Sequence, residues 1–436
     1  MQFLDFFLDP LYRAPVVGSM LMCLSSSLVG TLMVVKRRSL LGEALSHAAY
    51  PGVVLSVILG AALFSPSHPL AILVVLGGAF LFSYLGLLFI EKLKKSFRVH
   101  LDAALCLVLS LFLGVGVVFA SRIQFTHPLW HQQSQVFIYG QAATMNDSHI
   151  LIYGLFSILV SLFILFKFRQ IEVALFDPSY ASCRGLKMDR ITQGISLLLI
   201  LSIVVGIRSV GVILMSGMLL APAAAARAYT DRLSRLLMLS ALFGMLSGFG
   251  GNFLALKLSA SGINYPTGPM ILLVAVSISL FSLLFAPKKG AVFRFIRSAR
   301  FKRRCQLENI LKTFWKGGVE KPLSHKGILK WNPMGRLSMT RALFTLKREG
   351  WITSSGKGKL LLTPDGIRRA EHLVRLHRLW ELYLVSCLKV DQERVHHSAE
   401  EMEHILTPDL EERLTSLLNH PKEDPHQKPI PQGERS

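Results

Sequence analysis

Closely spaced cysteines are missing from this chain. The five cysteines stand alone at 23, 106, 183, 305 and 387 with no CxxC, which excludes a zinc knuckle and a disulfide framework. A phosphate-cradling Walker A loop is also missing. The nearest stretch, Gly350–Gly358, has the wrong spacing and no Ser or Thr after its Lys, so ATP hydrolysis is not expected from this chain. There is no HExxH motif and no nucleophile–base pair to nominate, which argues against a metal-dependent membrane enzyme. The N-terminus lacks a cationic stretch ahead of an apolar run with a small-residue cleavage site, so no removed signal peptide is expected. Acids are scarce, with 27 Asp and Glu against 48 Lys and Arg, a net charge of +21.

What is abundant is apolar. Hydrophobic residues make up 51% of the chain, and mean hydropathy is +0.46, values typical of a membrane protein. Apolar runs of spanning length fall at about 14–35, 45–64, 69–90, 104–121, 148–168, 192–228, 236–257 and 266–286. A helical pass needs roughly 20 such residues. The run 192–228 is too long for one pass and is interrupted at Gly206, Ile207, Arg208 and Ser209. Two passes there give nine in total; one pass with a re-entrant piece gives eight. The loops at 36–38, 91–98, 167–190, 227–235 and from 288 onward are basic, whereas those at 65–68, 122–147 and 258–265 are nearly free of Lys and Arg. Their alternation puts the N-terminus outside and the C-terminus in the cytoplasm.

One intramembrane stretch carries ionisable side chains. In Gly42-Glu43-Ala44-Leu45-Ser46-His47-Ala48, Glu43 and His47 are four residues apart and share a helix face. Ionisable residues in a span usually face an interior pathway, and carboxylate with imidazole suits a divalent cation. A helix start with Glu43 in water has the same spacing.

These residues, with the preceding Arg-Arg-Ser-Leu-Leu-Gly and the following Pro51-Gly52, resemble the manganese/iron/zinc ABC permease family. The likeness runs over roughly 14–290. It includes Tyr139-Gly140-Gln141, Leu175-Phe176-Asp177-Pro178 before Cys183-Arg184-Gly185, Leu219-Leu220-Ala221-Pro222, and Pro266-Thr267-Gly268-Pro269. The resemblance implies that Glu43 and His47 line the transport path, although the family more often has Asp at the acid position. It implies a cytoplasmic ATPase-coupling loop at Phe176, Asp177, Pro178 and Gly185, a separate ABC ATPase, an extracytoplasmic metal-binding protein and a second permease subunit, identical or not.

Charge changes after the last span. Pro287–Arg348 holds 17 Lys and Arg against two acids, a net +15, whereas the segment from Glu349 to Ser436 nets −3. A basic block of this kind suits an anionic membrane surface or nucleic acid. The expected organisation is a membrane domain at 1–286, a basic linker at 287–304, a winged helix-turn-helix at 305–366 and a helical metal-binding and dimerisation domain at 367–436. The linker, with Phe293, Phe295, Ile296 and Phe301, reads as an inner-leaflet anchor and as a protease-accessible joint.

Within 306–352 three short helices are expected. Leu307, Ile310, Leu311 and Phe314 form the first stripe, Pro322–Leu329 the second helix, and Leu337, Leu343 and Leu346 the inward face of the third. Arg336, Ser338, Thr340 and Arg341 then face outward toward DNA bases and phosphates. Two strands around Ser-Ser-Gly-Lys-Gly-Lys make a wing, with Lys357 and Lys359 at phosphate.

Farther on, Glu400, Glu403 and His404 are spaced i, i+3, i+4 and are expected on one helix face, as ligands of a divalent metal or as a charged surface. Residues 305–432 resemble the diphtheria-toxin-repressor family through Thr363-Pro364-Asp365-Gly366, His377-Arg378-Leu379-x-Glu381, Ala399…Glu403-His404-Ile405-Leu406 and Pro429-Ile430-Pro431. The resemblance implies metal ligands at His377, Glu381, His396, Glu400, Glu403 and His404, with Cys305 and Glu308 from the first helix. It also implies a DNA-binding homodimer. Glu400 is like the manganese-sensing branch; Cys305 departs from the usual Met or Asp. Iron and manganese are therefore both expected as transported and sensed ions, with zinc third. The implied function is an inner-membrane metal importer fused to a metal-dependent repressor of uptake genes. The alternative is a tail that brakes transport without binding DNA. A tethered repressor must either capture DNA at the membrane or be cut free near 287–304.

Overall fold

The computed structural model describes residues 9–63, 69–126, 128–185, 187–259, 265–356, 358–392 and 394–432. Lys357, the 65–68 loop and most of the 258–265 loop lie outside them. The chain divides into two units, Met1–Arg294 and Phe295–Ser436.

In the first unit the apolar runs become helices α1 (Pro10–Val35), α2 (Leu40–Leu63), α3 (Pro69–Ser96), α4 (Leu101–Thr126), α5 (Pro128–Tyr139), α6 (Asp147–Phe176), α7 (Pro178–Cys183), α8 (Met188–Val210), α9 (Val212–Arg227), α10 (Leu233–Ser259) and α11 (Thr267–Phe285). Eight of these are long and apolar enough to cross a membrane. The ninth expected pass, α9, has 16 residues and rises about 24 Å, short of the hydrocarbon thickness. Near its start, the Gln141 amide donates to the Arg208 carbonyl at 3.0 Å. Its last residue, Arg227, shares a cavity with Arg37, Phe176 and Asp231, and Asp231 pairs with Lys289 beyond α11. The basic segments thus collect on one face.

Close helix approach explains the small residues. A side chain at Gly30 would meet the Leu219 carbonyl oxygen at 1.8 Å, so α1 and α9 touch backbone to backbone. Several buried serines donate to main-chain oxygens, as Ser157 does to Leu21 at 2.7 Å. The break in the long apolar run falls at Gly211, not at Gly206–Ser209 as expected. Gly206 stays inside α8, whereas Gly211 has φ 94° and would place a Cβ 2.3 Å from the Ile138 oxygen. Gly211→Ala is therefore expected to cost at least about 1–3 kcal/mol in backbone strain, before the clash is counted. Reduced yield and an earlier thermal transition of the detergent-purified protein would be the readout; wild-type behaviour would contradict it.

The second unit begins in α12 (Ala291–Gly317), which runs through the expected linker without a break at 304. It is followed by β1 (Leu323–Ser324), α13 (His325–Trp331), α14 (Arg336–Arg348), β2 (Ile352–Ser354), β3 (Lys359–Leu362), α15 (Pro364–Ser386), α16 (Val395–Met402) and α17 (Pro408–Leu417). The three antiparallel strands are ordered β1-β3-β2, with Leu323 opposite Leu360 and Ile352 opposite Leu362. The core gathers Ile310, Leu311, Phe314, Ile328, Met339, Leu343, Leu346 and Leu373. Leu337, expected inward, is 77% exposed, and Met339 and Ala342 take the inner face with Leu343 and Leu346. The i, i+3, i+4, i+7 spacing from 339 requires this. At the entry to α15, Thr363 Oγ1 accepts from the Gly366 amide at 3.1 Å. Any Cβ at Gly366 would lie 2.0 Å from the Trp351 oxygen, which accounts for the Thr-Pro-Asp-Gly sequence.

Candidate metal centre

Helix α15 turns His377 and Glu381 to the same side one turn apart, and both are buried. Helix α16 offers His396 and Glu400 with the same spacing. The two pairs meet. Glu381 Oε1 lies 3.1 Å from His377 Nε2 and 2.9 Å from His396 Nδ1, and His396 Nε2 lies 3.5 Å from Glu400 Oε1. One ligand atom each from His377, Glu381 and His396 falls within 4.8 Å of the others. Imidazole and carboxylate without thiolate suit manganese, ferrous iron or zinc.

The other expected ligands form a second, adjoining cluster. Helix α16 ends at Met402, so Glu400, Glu403 and His404 do not share one helix face as expected. Glu403 caps the helix and turns inward; His404 follows in a turn. Glu403 Oε2 is 2.6 Å from His377 Nδ1, and His404 Nδ1 is 2.7 Å from Glu308 Oε2 on α12. Cys305, half-buried on α12, is one turn from Glu308. Sequence reasoning missed the cations here. Lys312 Nζ binds both Glu403 oxygens, at 2.8 and 2.7 Å. Arg304 and Arg369 hold Glu308 at 3.0 and 2.7 Å. Lysine on an otherwise apolar stripe was the available signal.

Charge states follow. Burial would raise Glu308, but bonds from His404, Arg304 and Arg369 outweigh it and hold the carboxyl at about 2. Burial likewise opposes ionisation of Glu381, and bonds from His377 and His396 hold it at about 2. His377 is lowered by burial, but Glu381 and Glu403 carry it above its ordinary value. Burial and the neighbouring Glu308 push the Cys305 thiol up. In metal-free protein the two carboxylates contribute stability that is present above about pH 4.5 and lost on acidification toward 2. His377 contributes stability present below pH 6.5 and lost as pH rises through its raised value. Urea midpoints of the tail in chelator should thus be highest between these limits. A midpoint that climbs steadily to pH 8 would refute the assignment.

The remaining expected sites lie on surfaces or in the membrane unit. Arg336, Ser338, Thr340 and Arg341 are exposed on α14, and Lys359 is exposed at the start of β3. Phe176 and Tyr180 are exposed around α7, whose first turn is capped by Asp177 Oδ1 accepting from the Tyr180 amide at 2.9 Å, with Pro178 at the first helical position. Gly185 has φ 72° and ends that turn. Glu43 and His47 are half-buried in the first two turns of α2, which packs on α3, α4, α8 and α9. His47 Nδ1 is buried with no hydrogen-bond partner.

Residues 9–286 match the ABC 3 transport family. The chain belongs to that family. Residues 363–432 match the iron-dependent repressor metal-binding and dimerisation domain. A probable metal transport system membrane protein of Chlamydia trachomatis serovar D is 35% identical over 446 residues, covering 98% of each chain. The manganese transport system membrane protein MntC of Bacillus subtilis is 29% identical, covering 84% of this chain and 82% of its own. The solved PsaBC complex of Streptococcus pneumoniae with Fab aligns at a TM-score of 0.56 and 26% identity, over 68% of this chain and 97% of that one. The protein is thus a multi-pass metal permease of the ABC type that carries an iron-dependent-repressor metal-binding and dimerisation domain in the same chain.

Proposed function

We propose that the permease imports manganese or ferrous iron past Glu43 and His47 and that its tail senses the same ion in the cytoplasm and represses uptake genes. The observation that carries this reading is the convergence of His377, Glu381 and His396 in a repressor-family domain behind a metal permease. The ligand set joins carboxylates, which suit manganese, to imidazoles, which suit iron and zinc. The orphaned His47 nitrogen suits a site completed by a passing cation. Helix α7, exposed among the basic segments, is the docking place for a separate ATPase, and an extracytoplasmic metal-binding protein delivers the ion at the other face. A second permease subunit completes the pathway.

The gathering of basic segments on one face supports a cytoplasmic tail. Dimerised tails would present α14, with Arg336 and Arg341, to the major groove and Lys359, with Lys357, to phosphate. Metal acts by binding one of two states better, which shifts the population toward the DNA-binding form.

The test uses full-length protein in nanodiscs and DNA from upstream of its own operon, titrated with manganese, ferrous iron, zinc or chelator. Metal-dependent binding that Glu381→Gln abolishes is expected. Binding unaffected by chelator, or none with any ion, would overturn the repressor reading. A tail-directed immunoblot of cells separates DNA capture at the membrane from proteolytic release between Pro287 and Arg304.

A further inference from the structure

The two adjoining clusters differ in what balances their carboxylates. At His377, Glu381, His396 and Glu400 the acids face imidazoles only, among the described residues. At Glu403 and Glu308 they face fixed cations. Lys312 Nζ spans both oxygens of Glu403, and its side chain is 7% exposed while that of Glu403 is fully buried. Glu308 is held by Arg304 and Arg369 in addition to His404. A divalent ion entering between Glu403, Glu308 and His404 would meet the Lys312 ammonium across the same two oxygens. Like charges at that range repel strongly where water is excluded. Lys312 lies on α12 between Leu311 and Thr313, next to the core residue Phe314, and is buried with its ammonium on Glu403.

We propose that the Lys312 ammonium is a built-in substitute for a second metal ion. The sensor then takes up one divalent ion, at His377, Glu381, His396 and Glu400. The Glu308–Glu403–His404 cluster is closed permanently by the chain's own Lys312, Arg304 and Arg369. Helix α12 is consequently tied to the residues after α16 whether or not metal is present. The ion acts only on the α15–α16 junction. This deepens the metal-sensing reading and rests on it.

The test counts manganese bound per full-length chain in detergent, by equilibrium dialysis and elemental analysis. The reference is the Glu381→Gln/Glu403→Gln chain, which loses a carboxylate from each cluster; subtracting it removes any ion held by the membrane unit. Wild type and Lys312→Arg are each expected to hold one ion more than the reference, and Lys312→Ala two more. Two extra ions in wild type would overturn the proposal. So would a Lys312→Ala count no higher than that of Lys312→Arg. If wild type equals the reference, the metal-sensing reading itself fails, and the proposal with it.

Discussion

In chelator, Glu403→Ala should destabilise the Phe295–Ser436 unit by about 3–5 kcal/mol, the range for removing one partner of a buried ion pair. The Glu403 side chain is fully buried between Lys312 and His377. Its loss strands an ammonium without an anion and an imidazole nitrogen without an acceptor. Glu400→Ala removes a carboxylate of the same helix that is 49% exposed and 3.5 Å from His396, and should cost under about 1 kcal/mol. The contrast separates burial from charge. Adding Lys312→Met to Glu403→Ala should restore part of the loss, since it removes the buried ammonium left without its counter-charge, although not the space that Glu403 filled. Tryptophan fluorescence in urea follows this directly, because Trp315, Trp331, Trp351 and Trp380 lie in the tail and only Trp130 in the membrane unit. Equal effects of the two single substitutions would show that the Lys312–Glu403 pair is not structural.

His47→Ala is expected to reduce metal uptake by at least about tenfold, the lower end of what loss of a supporting contact costs a metal site. The imidazole has a buried nitrogen without a partner, in a helix otherwise packed with Ala44, Leu45, Ala48 and Ala49. Nothing in that packing needs an imidazole, so folding should survive its removal while transport does not. Glu43→Ala, one turn nearer the basic face, should act in the same direction. Uptake of radiolabelled manganese in cells expressing equal amounts of each permease provides the measurement. Undiminished uptake by His47→Ala would remove that residue from the path.

Much of the fold was legible because bilayer-length apolar runs have few other uses, and because Thr363, Pro364 and Gly366 each meet a local backbone demand. The break at Gly211 was not. Gly206 and Gly211 sit in one apolar run, and only the close approach of Gly140 and Ile138 from far along the chain selects the second. The inner face of α14 was misjudged at Leu337, where hydrophobicity was read ahead of helical phase. At the metal centre, His377 and Glu381 were readable through the family resemblance. The division of Glu400 from Glu403 and His404 was not, because α16 stops at Met402 with no Gly or Pro to announce it. The role of Lys312 needed a partner 91 residues away, which no local pattern supplies.

The single oxygen of Glu381 that both His377 and His396 approach has a kinetic meaning. Ligand atoms that already converge need little reordering when an ion arrives, so less of the association free energy is spent on freezing side chains. The lag between a rise in metal and its detection is then set by how fast the ion sheds its water and protons leave the imidazoles. On the proposed function, a permease carrying such a sensor registers its own cargo promptly, before a surplus accumulates.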